Sequence, residues 1–124
     1  MVGPFPYLPW QNGPAAPACQ ATISWNGKTE SIPAVIDSGA SHTTIPAHIA
    51  KKMRLAIRDK QDVTGATGQS VEAYEHLVNL SFLGLKFPNH VVWGIPRPYI
   101  LIGRDILNRY KTILDGPIAH YSLE

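Results

Sequence analysis

The hydrophobic residues of the chain fall into short runs separated by glycine and proline, a spacing typical of short β-strands joined by turns. The first clear strand pattern covers residues 20–25, and the Asn26-Gly27 pair that follows supplies the two positive φ angles of a tight hairpin. The return strand becomes continuously apolar at residues 33–36 and then reaches Asp37. The sequence therefore predicts that a buried strand delivers a carboxylate into the turn that follows it.

The same patterns predict further strands and two short helices. Helices are expected at residues 46–55, where Pro46 suits the first helical position, and at residues 104–110. Strands and hairpins are expected, in chain order, at residues 62–74, 78–82, 89–93, 99–103 and 112–123. The chain is therefore predicted to be mostly β, with one or two short helices.

Length and N-terminal composition indicate one domain preceded by an arm. A chain of 124 residues can bury one modest core but not two independent ones. Residues 1–18 are rich in proline and show no periodicity, so they are predicted to form an extended arm, and residues 19–124 are predicted to form the single domain. Two alternatives stay open for the arm: its aromatic residues dock on a partner subunit or in a binding groove, or it is a mobile leader.

Composition narrows the functional classes. Hydrophobic residues make up 44% and charged residues 16% of the chain, which is typical of a folded globular protein. The net charge is only +2 and the basic residues are scattered apart from a group at residues 51–54, so no nucleic-acid-binding face is expected. Cys19 has no partner for an intramolecular disulfide, and no apolar run approaches the roughly 20 residues of a membrane span. We therefore expect a soluble, cytoplasmic protein without membrane contact.

Three segments could carry chemistry, and each is a weak signal alone. The triplet at residues 37–39, Asp-Ser-Gly, is frequent in turns and helix caps. The Gly-Ala-Thr-Gly stretch at residues 65–68 could be an ordinary turn, and the apolar run into Gly103 could be an ordinary buried strand. Their order and spacing make the combination more specific than any one of them.

Together the three segments resemble the retropepsin family, the dimeric aspartic peptidases of retroviruses, retroelements and related cellular and bacterial genes. That family has two apolar residues before Asp-Ser/Thr-Gly-Ala, then a glycine-rich flap that closes over the substrate, then an apolar stretch ending in Gly-Arg before a short helix. Here these elements correspond to residues 35–40, 63–74 and 100–107. The resemblance covers residues 21–107 and implies an all-β, mostly antiparallel, closed barrel-like acid-protease fold that forms a homodimer.

The chemistry of peptide hydrolysis agrees with that resemblance. Without a metal or a covalent nucleophile, one group must take a proton from water while another gives a proton to the carbonyl oxygen. Two adjacent carboxyl groups that share one proton can do both, because like charges so close cannot both ionise. Asp115 is better explained by a hairpin turn and Asp105 by a helix start, so the partner of Asp37 is expected to be Asp37 of a symmetric second copy.

The resemblance also implies roles for individual residues. Ser38 would hydrogen-bond across the dimer and Gly39 would bring its backbone close to the carboxylate, so both join Asp37 as catalytic residues. Ile102 and Gly103 would pack beneath the Asp37 turn. The residues expected to bind substrate are Ala40, Ser41, His42, Gly65, Ala66, Thr67, Gly68 and Ile102. No metal and no cofactor are expected, and the substrates would be extended peptides or proteins.

Two departures from the family pattern limit the transfer. Viral members often carry an acidic residue after Asp-Ser/Thr-Gly-Ala that pairs with the arginine matching Arg104; here Ser41 and His42 follow, so Arg104 must find another acceptor. The C-terminal hairpin is longer than in the smallest viral enzymes, and we expect it to enlarge the dimer sheet. A catalytically silent peptide-binding module with the same fold, and an enzyme that processes its own flanking sequence, remain alternatives.

Overall fold

A computed structural model describes residues 2–65 and 67–124. Within these residues the chain forms twelve β-strands and two short helices. In chain order they are β1 (Val2–Pro6), β2 (Leu8–Trp10), β3 (Gly13–Ala16), β4 (Ala18–Trp25), β5 (Lys28–Ile36), β6 (Thr44–Pro46), α1 (Ala47–Lys52), β7 (Asp59–Thr64), β8 (Ser70–Phe82), β9 (Leu85–Ile95), β10 (Ile100–Ile102), α2 (Arg104–Leu107), β11 (Thr112–Asp115) and β12 (His120–Leu123).

The main sheet closes into a six-stranded barrel. Its strand order is β4-β5-β10-β6-β9-β8-β7, and β4 also pairs with β8, so the ring from β4 to β8 is complete and β7 extends from it. Most pairings are antiparallel, but β5 with β10 and β6 with β9 are parallel. The prediction of a mostly antiparallel, closed β domain with two short helices is confirmed.

The barrel interior is filled with branched aliphatic side chains. The fully buried members include Ile23 on β4, Ile45 on β6 and Leu80 on β8, together with Ile100 and Ile102 on β10. Burying a side chain of this size contributes roughly 1.5–3 kcal/mol, so this cluster supplies much of the stability of the domain. Because β10 runs through the centre of the cluster, the strand that supports the Asp37 turn is among the best anchored in the molecule.

The two chain ends form a separate three-stranded sheet in the order β1-β12-β11. Tyr121 of β12 connects this sheet to the barrel, since its buried hydroxyl donates to the carbonyl of Ala18 at 2.9 Å. Phe5 and Tyr7 pack their rings against Tyr121 with centroid distances of 5.6 and 6.2 Å. The N-terminal segment was expected to be an arm without strand pattern, but it forms β1, β2 and β3, and β1 pairs with the C-terminal strand of its own chain.

Element bounds differ from the predictions where local geometry ends a helix or prolongs a strand. Helix α1 stops at Lys52, because Arg54 adopts a left-handed φ of 54°. Helix α2 has four residues, and the predicted remainder to Tyr110 forms two tighter turns with hydrogen bonds three residues apart. The strand predicted at residues 78–82 is the second half of β8, which continues without a break from the hairpin before it. Among residues 2–65 and 67–124, no helix is long and apolar enough to cross a membrane.

Candidate active site

Asp37 lies directly after β5, where a parallel strand pair fixes the backbone. Val35 and Ile36 pair with Leu101 and Ile102 of β10, and the Asp37 amide continues this ladder by donating to the Ile102 carbonyl at 3.0 Å. The next residues then turn sharply. The Gly39 amide donates to the Asp37 carboxylate oxygen Oδ1 at 2.9 Å, so the side chain is oriented by its own turn.

We call residues 37–42 the Asp37 loop, and the start of α2 holds it from below. The Arg104 amide donates to the Ala40 carbonyl at 2.9 Å, and the Arg104 guanidinium donates to the Ser38 carbonyl at 2.7 Å. Because no acidic residue directly follows Ala40, Arg104 was expected to have a different acceptor, and the Ser38 carbonyl is that acceptor. Two hydrogen bonds from one residue therefore hold two successive parts of the loop.

Gly103 allows α2 to approach the Asp37 loop closely. A Cβ atom at this position would lie 2.6 Å from the carbonyl carbon and oxygen of His42, and 2.9 Å from the Ala40 carbonyl oxygen. These neighbours are backbone atoms, which cannot rotate away as a side chain can. The glycine is therefore required by close packing of two backbones, as the resemblance to retropepsins implies.

A chain of polar groups connects Thr43, the residue after the loop, to α2 and β9. The Thr43 hydroxyl accepts from the Gly103 amide at 3.1 Å and donates to Asp105 Oδ1 at 2.7 Å. His90 on β9 donates to the other oxygen of Asp105 at 2.9 Å. Burial alone would raise the pKa of Asp105, but the hydrogen bonds from His90 and Thr43 outweigh it, so this pKa is lowered.

The Asp37 carboxylate opens into a cleft of about 560 Å³ between the Asp37 loop and the strands β7 and β9. The lining residues are Asp37, Gly39, Ala40, Ser41, His42, Thr44, Gln61, Asp62, Val63, Thr64, Gly65, Trp93, Ile95, Arg97 and Leu101. The apolar members lie on several strands, while the acidic ones are Asp37 on one side and Asp62 on β7. A cleft of this size and mixed lining suits a peptide side chain and backbone.

The flap hairpin (residues 59–75) borders this cleft. Residues 59–64 pair with residues 70–75 in regular antiparallel register. At its tip, the Gly65 amide donates to the Gln69 carbonyl at 2.9 Å and the Gly68 amide donates to the Gly65 carbonyl at 3.0 Å. Gly65 lines the cleft, Thr67 and Gly68 are exposed at the tip, and Ala66 lies outside the described residues.

The structure brings most of the predicted site residues together. Gly39, Ala40, Ser41, His42 and Gly65 share the cleft with Asp37. Ser38 is exposed on the loop, beside them in sequence. Ile102 does not line the cleft: its side chain is fully buried in the core, and its carbonyl supports the Asp37 amide. Its neighbour Leu101 lines the cleft instead, because alternate residues of a strand face opposite sides.

Several lining residues were not predicted from the sequence. The sequence pattern predicts core positions in apolar strands for Trp93, Ile95 and Leu101. It predicts only hairpin strand positions for Val63 and Thr64. Strand alternation around Ile102 was the one signal that could have identified Leu101. Trp93 could not be identified this way, because its position in the cleft depends on the parallel pairing of β6 with β9.

The other acidic candidates within the described residues lie in different environments. Asp115 ends β11 in the terminal sheet and does not line the cleft. Asp105 is engaged by Thr43 and His90. No group of three or more His, Cys, Asp or Glu side chains in the described part of the chain could hold a metal ion.

Comparison with known proteins assigns the family. The sequence profile of the aspartyl proteases matches residues 20–106, which is more than half of the chain. The chain belongs to the aspartyl protease family. This match spans the Asp37 loop, the flap hairpin and the strand leading to Gly103, the three segments on which the resemblance to retropepsins rested. No curated protein shows significant sequence similarity to this aspartyl protease.

Solved structures show the same fold. The chain is similar to a retropepsin-like aspartic protease from Rickettsia conorii, with a TM-score of 0.64, 20% identity, and coverage of 99% of this chain and 91% of that one. It is also similar to the EIAV protease, with a TM-score of 0.57, 20% identity, and coverage of 81% and 92%. A third similar structure is the retroviral protease-like domain of Ddi1 from Leishmania major. Its TM-score is 0.51 and its identity 17%, with coverage of 86% of this chain and 87% of that one. The predicted resemblance to retropepsins is confirmed.

Proposed function

We propose that this aspartyl protease is an endopeptidase that works as a homodimer, with one Asp37 from each chain forming the catalytic pair. The observation that carries the proposal is the Asp37 loop itself. The Gly39 amide orients the Asp37 carboxylate, and β10 and α2 hold the loop that carries it. This carboxylate faces a cleft that is bordered by the flap hairpin. Membership of the aspartyl protease family supports the reaction class.

The proposal needs a second copy because, among the described residues of one chain, no second carboxylate lies in an equivalent turn beside the cleft. Asp62 also lines the cleft, but it lies on β7 in the flap hairpin, opposite Glu72, and no Ser-Gly turn follows it. A twofold axis beside the Asp37 loop would place two identical carboxylates together with identical surroundings. Ser38, which is exposed on the loop, would then hydrogen-bond to the partner loop.

In the proposed reaction the ionised member of the pair takes a proton from a water molecule as its oxygen attacks the scissile carbonyl carbon. The protonated member gives its proton to the carbonyl oxygen, which produces a neutral tetrahedral diol. As the C–N bond of the diol breaks, the protonated carboxyl gives its proton to the amine nitrogen and the ionised carboxyl takes a proton from a diol hydroxyl, so the pair again holds one proton. Acidic pH is therefore expected to favour activity.

The substrate would bind as an extended strand between the Asp37 loop and the flap hairpin. Backbone hydrogen bonds would give affinity, and the alternating side chains would enter pockets on both sides of the cleft. Trp93, Ile95 and Leu101 provide an apolar surface beside Asp37, which suits hydrophobic side chains near the scissile bond. Closure of the flap hairpin would exclude bulk water during the reaction.

The dimer surface is proposed to include the terminal sheet. Truncation before Lys111 would remove Tyr121 and Leu123 from the main core, so loss of dimer in a truncated chain would not separate folding from association. Leu114 and Ile118 are better probes, because they are large apolar residues with 51% and 62% exposure. We expect glutamate at both positions to shift the sedimentation coefficient to that of a monomer and to abolish cleavage, with the barrel still folded.

The decisive test compares two acidic residues of the same cleft. A peptide library is incubated at acidic pH with the wild type, with Asp37→Asn and with Asp62→Asn, and the products are identified by mass spectrometry. We expect cleavage by the wild type and Asp62→Asn, and a loss of at least about a thousandfold for Asp37→Asn. Cleavage that survives in Asp37→Asn would overturn the proposal, and peptide binding without cleavage in all three would favour the silent module.

A further inference from the structure

A second groove lies beside the cleft on the outside of the barrel. It has a volume of about 440 Å³ and is lined by Ala47, His48, Lys51, Pro96, Arg97 and Pro98. Its position follows from topology: β6 and β9 are parallel, so α1 after β6 and the loop after β9 leave the sheet at the same edge. The charged side chains that line the groove between them, Lys51 and Arg97, are both positive.

The cations of this groove differ from most others in the described chain. Lys52, Arg58, Lys60 and Lys111 each lie within 4 Å of a carboxylate. Arg104 and Lys28 donate to backbone carbonyls, and Arg109 lies over the ring of Phe87. Lys51 and Arg97 have no carboxylate within salt-bridge distance among residues 2–65 and 67–124, both are exposed, and no acidic side chain lines the groove.

Arg97 joins the groove to the cleft, because it lines both. Its guanidinium donates to the Tyr99 hydroxyl at 3.3 Å, and the Tyr99 ring meets the edge of Trp10 with centroids 4.9 Å apart. Its own amide donates to the Ile95 carbonyl at 2.8 Å, and prolines flank it on both sides. The Arg97 guanidinium, between the cleft and the groove, is therefore positioned by a restrained loop and, through Tyr99, by contact with the N-terminal hairpin β2–β3.

We propose that this groove, which we call the basic groove, is an extension of the substrate site that binds acidic side chains of the peptide. It rests on the proposed function and adds a substrate class: peptides with a hydrophobic segment at the scissile bond and Asp or Glu further along the chain. Arg97 would meet the first carboxylate as the peptide leaves the cleft, and Lys51 and His48 would meet the next. Two such grooves in a symmetric dimer would serve both ends of the peptide.

The test uses matched peptides and matched lysine variants. A peptide that the wild type cleaves is extended at either end by a short run of Glu or of Gln, and assayed at about pH 6, where Glu is ionised. For the wild type we expect the Glu peptide to have a KM about five- to tenfold lower, with kcat unchanged and the difference reduced by salt. Lys51→Glu should remove or reverse this preference while cleaving the Gln peptide as well as the wild type does.

Lys86→Glu is the matched control, because Lys86 is also exposed and without a carboxylate partner in the described chain but lies at the other end of β9. It makes the same charge change and should keep the wild-type preference. Equal KM values for the Glu and Gln peptides in the wild type, or an unchanged preference in Lys51→Glu, would overturn the proposal.

A binding measurement separates this proposal from the catalytic one. The Asp37→Asn chain is titrated with the fluorescently labelled Glu and Gln peptides, and anisotropy reports the affinity without cleavage. Tighter binding of the Glu peptide that Lys51→Glu removes would support the basic groove even if no peptide is ever cleaved. Equal binding of the two peptides would reject the groove even if Asp37 proves to be catalytic.

Discussion

The Asp37 loop and the flap hairpin form opposite sides of one cleft, and they are built in different ways. The loop is held by a hydrogen bond that its Asp37 amide donates to β10, by two donated by the amide and guanidinium of Arg104, and by the Thr43 hydroxyl, which accepts from the Gly103 amide. The flap hairpin is exposed along almost all of β7 and the first residues of β8. Its side-chain links are surface contacts, such as Lys60 with Glu72 and the Tyr74 hydroxyl with the same carboxylate.

The difference suits the loop to a fixed position and the flap hairpin to movement. The proposed mechanism needs the Asp37 carboxylate in place before substrate arrives, and the hydrogen bonds of the loop would provide that preorganisation. A segment that admits and covers a peptide needs weak contacts that open at little cost, and exposed ion pairs are worth little. Substitutions on the loop side should therefore affect stability and catalysis strongly, and equivalent substitutions in the flap hairpin should affect stability weakly.

The largest expected effect comes from adding one methyl group behind the loop. In Gly103→Ala the new Cβ would meet the His42 backbone at 2.6 Å, so either the loop or α2 must move. We expect a loss of about 4 kcal/mol or more in the free energy of unfolding, or no folded protein at all. Urea unfolding followed by circular dichroism measures it.

Gly65→Ala is the control on the flap side, since a Cβ there would meet its nearest neighbour, the Gln69 carbonyl, at an ordinary 3.8 Å. Its unfolding free energy should stay within about 0.5 kcal/mol of the wild type. A Gly103→Ala protein as stable as Gly65→Ala would show that the loop is not held as described.

Removal of the Thr43 hydroxyl should give the next largest effect. Thr43→Val keeps the shape of the side chain but removes the acceptor of the buried Gly103 amide and one of the donors to Asp105. We expect destabilisation of about 2–3 kcal/mol and a fall in kcat with little change in KM. Thr64→Val is the matched change on the flap hairpin, where the hydroxyl contacts Ser70 in an exposed position, and its stability should hardly change.

The smallest of the three effects is a pH dependence that arises from Asp105. Hydrogen bonds from His90 and Thr43 lower its pKa in the folded chain below the ordinary value of 3.8. A carboxyl with a lowered folded pKa contributes stability that is complete above its unfolded pKa and is lost as the pH falls through the folded value. The wild type should therefore lose the stability that this group contributes as the pH falls below about 4.

Asp105→Asn tests this assignment, because an amide has nothing to titrate in this range. The variant should be less stable than the wild type near neutral pH, and the difference between the two should shrink as the pH falls to about 3. Chemical unfolding at a series of pH values measures it. A constant difference across the series would assign the acid sensitivity to other groups.

Sequence reasoning predicted the local parts of the site and missed the parts made by distant pairing. The hairpin at Asn26-Gly27 and the turn after Asp37 follow from residue types whose backbone preferences act over a few positions, whereas the close approach at Gly103 is implied only by the resemblance to retropepsins. The link from Thr43 to Asp105 joins residues 62 positions apart and exists only once the barrel has closed. Periodicity carries no information about such pairs.

The same limit applies to the cleft wall and the basic groove. Trp93 and Ile95 follow an apolar pattern that predicts core, and their contact with the cleft depends on the parallel pairing of β6 with β9. Lys51 could be predicted to face solvent from its place on α1, but its position in one groove with Arg97 depends on that same pairing. Both surfaces became visible only when the strand order was known.

The central claim is that two copies of Asp37 act together, and mixing two kinds of chain tests it most directly. Wild-type and Asp37→Asn chains are unfolded together, refolded at constant total concentration, and assayed for peptide cleavage. If both carboxyls are needed, activity follows the square of the wild-type fraction, so an equal mixture retains about one quarter. Activity proportional to the wild-type fraction, with about one half remaining in that mixture, would contradict the account.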